Sequence, residues 1–139
     1  MGDHEAVELV RHWVDEVWNE GRFERLRDFH PPVFDNHGRP TTVEEARQWH
    51  LQMRATYPDL HYTIEDVFGC GEQVALRWTA TGTQRGDLWS IIPATNELVE
   101  WAGMHMLHVA DGRIDAVWAV ADSVAVLRQL GVTLQPRQA

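Results

Sequence analysis

Along the first nineteen positions the apolar residues recur with helical spacing. Val7, Val10, Val14, Val17 and Trp18 share one broad face, with Trp13 at its edge. This predicts a helix from Asp3 to Asn19, capped by Asp3 and stopped by a left-handed Gly21. A short second helix carries Phe23, Leu26 and Phe29 on one side and ends at His30-Pro31-Pro32, because proline cannot continue the hydrogen-bond ladder. The stretch "VFDNHGRP" (33–40) reads as a strand end or turn. Thr42 and Glu45 then form a capping box for a third helix, Val43 to Thr56, whose apolar positions are Val43, Ala46, Trp49 and Met53.

After Pro58 the period changes from helical to alternating. Leu60, Tyr62 and Ile64 mark one strand, and "GCG" turns the chain back into Val74, Leu76, Trp78 and Ala80. A further strand is expected near Leu88, with "PATNE" as the turn that follows. A long strand from Leu98 to Val109 meets a tight Asp111-Gly112 hairpin, and Ile114 to Ala121 returns. A last short helix, Ser123 to Leu130, stops at Gly131. Helices followed by consecutive antiparallel strands predict one α+β domain over residues 1–139, with the helices packed on one face of a curved antiparallel sheet. Such a sheet closed by helices makes a cone around an apolar pocket.

Composition narrows the partners. Twelve basic against twenty-one acidic residues give a net charge of −9, which repels phosphate backbones and anionic membranes, so neither nucleic acid nor membrane is expected. No apolar run is long enough to span a bilayer, and no signal peptide is evident. Cys70, the single cysteine, permits no internal disulfide and reads as a turn residue between glycines. A cytoplasmic location follows as the expectation.

The chain carries no glycine-rich phosphate loop, G-x-S-x-G elbow, zincin helix or paired CxxC. Among eight histidines, His105 and His108 lie three apart on a strand and point to opposite faces, while His12, His50 and His61 lack partners at ligand spacing. No metal site is expected.

The second half, "TGTQRGDLWSIIPATNELVEWAGMHMLHVADGRIDAVWAVADSVAVLRQLG" (81–131), resembles the SnoaL-like polyketide cyclases of the nuclear-transport-factor-2-like superfamily. The resemblance rests on Gly82-Thr83, Gly86, Ile92-Pro93-Ala94-Thr95, Asp111-Gly112-Arg113-Ile114, Trp118, Asp122 and Leu127-Arg128-Gln129-Leu130-Gly131. Asn19-x-Gly21, His30-Pro31 and Asn36-His37-Gly38 extend it more loosely into the first half. It implies a cone-shaped α+β fold, a homodimer formed through the sheet, and ring closure, isomerisation, dehydration or epoxide hydrolysis of hydrophobic small molecules without metal or organic cofactor.

The resemblance also nominates residues. His105 matches a pocket histidine of the aldol cyclases, and His37 with Asn36 matches a region that supplies a polar or basic group. Ala119 stands where those cyclases place a catalytic aspartate, and a methyl group cannot move protons. Ala116 similarly replaces a glutamate, and Gln84 a histidine. Asp122 is either a third acid–base candidate or the cap of the last helix. Trp49 and Trp118 are expected to line the cavity, with Val14, Val17 and Met53 as neutral wall.

Three readings compete. The first is a cofactor-free cyclase or isomerase working by His105 or His37, or by folding a reactive chain for cycloaddition. A pH–rate profile flat between about pH 5 and 9 would then count against an essential histidine. The second is a non-catalytic small-molecule binder or accessory protein. The third is an epoxide hydrolase, which needs Arg77, Arg85, Asp87 and Asp122 to converge.

Overall fold

Residues 2–138 are described by a computed structural model. In it, α1 (Asp3–Trp13) runs without a break into a π-helical segment, Val14–Asn19. A 3-10 turn, Phe23–Arg25, leads into the one-turn helix α2 (Leu26–Phe29). A hairpin follows, β1 (Val33–Asn36) and β2 (Arg39–Thr42), and then α3 (Val43–Thr56). The long strands come next: β3 (His61–Cys70), β4 (Gln73–Thr83), β5 (Leu98–Ala110) and β6 (Arg113–Ala121). The helix α4 (Ser123–Gln129) closes the order.

The six strands form one sheet in the order β2-β1-β6-β5-β4-β3. The expectation of a purely antiparallel sheet needs correction, because β1 runs parallel to β6 through the pairs Asp35–Ala116 and Asn36–Val117. The segment 33–40 supplies that extra hairpin. Its two-residue turn, His37-Gly38, has φ of 54° and 81°, the positive values that match strand twist in a tight hairpin. Register shifts between Ile64 and Asp66 and between His108 and Val109 are bulges, which bend the strands that carry them. The strand expected near Leu88 is reduced to one isolated bridge, Leu88–Ile92, inside a loop. That loop is organised by Gln84, whose fully buried amide donates to the carbonyls of Ile92 and Pro93 and accepts from Thr95.

Capping follows the sequence in part. Thr42 Oγ1 accepts from the Glu45 N–H at 3.1 Å, and α3 starts and ends at the expected residues. Gly2, with no side chain to offer, occupies the cap position of α1, so Asp3 is its first helical residue instead.

The core lies between the helices and the inward face of β3 to β6. Val10, Val14, Val17, Leu26, Val74, Val99, Leu107 and Ile114 are completely buried there. Burying each such side chain is worth roughly 1.5–3 kcal/mol, so this layer dominates stability. Val14 and Val17, expected as cavity wall, are spent on this core.

Candidate active site

A cavity of about 610 Å³ opens between α1, its π-helical extension, α3 and the inward sheet face. Trp13 and Trp18 come from the first helix, and Ala46, Trp49, His50 and Met53 from α3. Tyr62, Trp78, Trp101 and His105 come from β3 to β5, and Val117, Ala119 and Ala121 from β6. Phe34, Asn36 and the turn residue His37 close the remaining side. The volume and the aromatic lining suit a hydrophobic molecule of drug-like size. A second, more open hollow of about 670 Å³ shares His30 as a wall. It mixes Arg27 and Arg113 with Glu44, Asp111 and Asp115 and gathers no apolar surface of comparable extent.

The π-helical segment decides which tryptophans meet. Its wider turn is visible in the Glu20 N–H donating five residues back to the Asp15 carbonyl, and the Arg22 N–H bond to the Glu16 carbonyl closes the helix over the left-handed Gly21. Residues five apart, which diverge on an α-helix, come onto one face here. The Trp13 and Trp18 rings therefore pack edge to face at 4.7 Å, and Trp18 lies 4.9 Å from the His105 ring. The segment is pinned from outside. Asn19 donates to the Tyr62 carbonyl at 2.9 Å and accepts from the Tyr62 N–H at 2.7 Å, while Arg54 donates to the carbonyls of Trp18, Asn19 and Leu60.

His105 lies on β5 with its ring on the cavity wall, and Trp78 Nε1–H donates to its Nδ1 at 2.9 Å. An indole N–H can only donate, so Nδ1 is the acceptor and the neutral ring carries its proton on Nε2. Burial pulls this imidazole down to about 3, with the charge of His37 adding repulsion. His105 is thus a neutral ring offering an Nε2–H donor.

His37 is held in the opposite tautomer. The Ala119 backbone N–H donates to its Nε2 at 3.1 Å, which leaves Nδ1–H. Its left-handed backbone is offset by this bond and by its own N–H donating to the Val117 carbonyl.

Two further histidines belong to the wall. His30 donates through Nδ1–H to the Ile114 carbonyl at 2.8 Å and stacks on Phe34 at 4.1 Å; burial takes it down to about 4. His50 stacks on Phe23 and is brought to about 3, by burial first and then by repulsion from His30 and Arg54. His50 was legible in principle, since it lies four residues after Ala46 and three before Met53 on the same helix stripe. His30 had no short-range signal, because its partner is 84 residues away.

Of the residues singled out from sequence, the structure gathers His105, His37, Asn36, Trp49, Met53 and Ala119 around the cavity. Four stand elsewhere. Val14 and Val17 are core. Trp118 is 44% exposed and projects from the sheet face opposite Val117 and Ala119, since successive strand residues alternate. Asp122 is exposed, and its carboxylate accepts the Ala125 N–H at 3.0 Å, the geometry of a helix cap. The groups an epoxide hydrolase would need are dispersed. Arg77 pairs with Asp66, Arg85 bonds Asn96, Asp87 accepts from the Ala94 N–H, and none of them lines the cavity. On the wall, the one carboxylate among the described residues is Glu45, exposed on α3 and bonded to Thr42. Among the described residues no three His, Cys, Asp or Glu side chains are placed to hold a metal ion, and no helix is long and apolar enough to cross a membrane.

Comparison with solved structures shows the same architecture elsewhere. Wild-type IdmH from Streptomyces antibioticus, which carries a polyketide-cyclase assignment, is 29% identical over 91% of this chain and 99% of its own, with a TM-score of 0.80. TsrD from Streptomyces laurentii shares the fold at 23% identity and a TM-score of 0.85, over 96% of this chain and 99% of its own. A protein of Jannaschia sp. CCS1, assigned as SnoaL-like, does so at 22% and 0.84, covering 95% of each chain. None of the curated proteins matches the chain. The family model for SnoaL-like polyketide cyclase matches residues 8–130, nearly the whole described length. With its helix-covered mixed sheet and its aromatic-lined cavity, this chain belongs to the SnoaL-like polyketide cyclases.

Proposed function

We propose that the protein closes a ring in a hydrophobic polyketide-type intermediate by folding it inside the aromatic cavity and polarising one carbonyl with a neutral hydrogen-bond donor. The observation that carries this reading is the occupied lone pair of His105. With Nδ1 accepting from Trp78, the ring meets a substrate as Nε2–H, which stabilises developing negative charge on oxygen. His37 has its Nε2 lone pair similarly engaged. The remaining wall histidines, His30 and His50, are weak bases at about 4 and 3. Ala119 contributes only a methyl group. A cavity built this way favours proximity and donor catalysis over abstraction of a proton by a strong base. A cycloaddition fits this, as does an aldol closure where the substrate's own enol attacks and its hydroxyl proton passes to the carbonyl oxygen that becomes the new alcohol.

The depressed value of His105 changes what pH can reveal. A ring that is neutral throughout pH 5–9 gives a flat profile even when it takes part, so flatness does not speak against it. Substitution does. Purified protein incubated with linear polyene or poly-β-keto thioesters should yield cyclised product by mass spectrometry. His105→Phe should lower kcat about 10²-fold, the size of one lost oxyanion donor, with KM little changed. Binding without turnover by the wild type would favour the non-catalytic binder instead.

The outer sheet face supports a homodimer. Met104, Met106, Trp118 and Val120 are exposed side by side on β5 and β6, where Met104 pairs with Val120 and Met106 with Trp118. An apolar patch of this kind on a sheet face fits a second copy of the same surface. The exposed single Cys70 suits a reducing, cytoplasmic setting.

A further inference from the structure

We propose that Trp78 is a positioning residue for His105: its indole N–H fixes the imidazole in the Nε2–H form, and Gly103 is the cut-out in β5 that allows the indole to reach it. The proposal rests on the reading that His105 Nε2–H meets a substrate oxygen, and it extends that reading to the residues that impose the tautomer.

The register of β4 and β5 sets the arrangement. Leu76 lies opposite His105 and Trp78 opposite Gly103, so Trp78 approaches His105 along a diagonal of the sheet. To do so the indole lies directly over the backbone of residue 103. A Cβ built there would stand 2.2 Å from Trp78 Cζ2, 2.6 Å from Cη2 and 2.8 Å from Cε2, distances no real side chain tolerates. Any residue but glycine at 103 pushes the ring off this path. Both partners are then clamped. Tyr62 packs edge-on against Trp78 at 5.0 Å, Trp18 packs against it at 6.1 Å, and Trp18 also covers His105 at 4.9 Å.

Apolar packing alone does not require this aim: Trp13 and Trp18, buried in the same wall, leave their Nε1–H groups without a partner among the described residues. Trp78, 4% exposed, donates its own Nε1–H to His105. What this orientation adds is chemical. A free neutral imidazole exchanges its proton between Nδ1 and Nε2, and only one of those forms offers a donor from Nε2. The Trp78 bond selects that form and stabilises the uncharged ring. Among the described residues, His37 is the titratable group whose charge reaches His105, and Glu45, at the cavity wall on α3, is the one carboxylate lining the same space.

The test needs no substrate. Nitrogen-15 NMR of histidine-labelled full-length protein should show wild-type His105 as a single Nε2–H tautomer, unchanged from pH 8 to pH 5. Trp78→Phe retains most of the apolar volume and lacks the donor. It should populate the Nδ1–H form or raise the His105 titration by about one pH unit. Gly103→Ala keeps the tryptophan but displaces it, and should reproduce the same signature. An Nδ1–H ring in the wild type overturns the proposal, whether or not either variant folds. So does a folded Trp78→Phe protein whose His105 keeps the same tautomer and the same titration. Failure of ring closure with the Nε2–H tautomer in place would sink the cyclase reading alone.

Discussion

Trp13 and Trp18 are five residues apart in the sequence, yet their rings meet edge to face at 4.7 Å because the helix between them widens to π geometry. Asn19 holds that widening by bonding both the N–H and the carbonyl of Tyr62. Asn19→Ala leaves two partly buried backbone groups without their partner, each costing about 1–3 kcal/mol. Urea unfolding should show a loss of about 2–4 kcal/mol. A loss under about 0.5 kcal/mol would mean that water replaces the amide and the segment holds itself.

Acid should destabilise the protein through its buried histidines. His30 is 2% exposed and brought to about 4 in the fold, against an ordinary value of 6.5 when unfolded. The unfolded chain therefore binds the proton first. Its contribution to stability is complete above pH 6.5 and is lost as pH falls toward 4, at up to about 1.4 kcal/mol per pH unit. The urea midpoint of His30→Asn should fall less steeply than that of the wild type between pH 6.5 and 4.5. Parallel slopes would show that His30 is not the group responsible.

Ala119 lies opposite His105 in the register of β5 and β6. Ala119→Asp places a carboxylate beside the buried imidazole, which should raise the His105 titration by about 1–3 units. The burial of a charge should cost about 1–3 kcal/mol of stability at neutral pH. NMR titration of the His105 ring measures the first effect. An unmoved titration would place the new carboxylate out of reach of the ring.

Asp122→Ala separates capping from catalysis. Removing a helix cap costs about 1 kcal/mol. The variant should lose roughly that in urea and retain the ring-closing rate of the wild type. A rate lower by 10²-fold at unchanged stability would make Asp122 a chemical participant.

The outer face of the sheet is tested by charge. Val120 is 77% exposed beside Met104, and Val120→Lys leaves the core untouched. Sedimentation should find a dimer for the wild type and a monomer for the variant. A monomeric wild type would end the dimer proposal.

The fold was legible because period and punctuation agreed. Alternation in Val74, Leu76, Trp78 and Ala80 marked β4, and the Thr42–Glu45 box fixed the start of α3 to the residue. The site was legible where a residue sat on a well-registered strand or helix stripe, as His105 and Met53 do. It was illegible where geometry departed from the standard periods. A 3.6-residue wheel puts Trp13 at the edge of the helix face, and only the π segment turns it toward Trp18. Trp118 failed for a like reason: Asp115 is the extra residue of the bulge in β6, so an alternation read from Ile114 through Ala116 slips by one and Trp118 faces outward while Val117 and Ala119 face in. The parallel joining of β1 to β6 had no local signal, because its partners are separated by most of the chain.

That joining has a consequence for how the protein comes into being. His30 reaches Ile114 across 84 residues and His37 reaches Ala119 across 82, so the walls they form have no counterpart until β6 exists. On the ribosome, the first two-thirds of the polypeptide can form helices and two hairpins, β1–β2 and β3–β4, which lie at opposite edges of the sheet with the strands that join them still missing. The hollow is therefore a late product of synthesis, and a chain shortened before β6 would lack the wall that Val117, Ala119 and Ala121 supply.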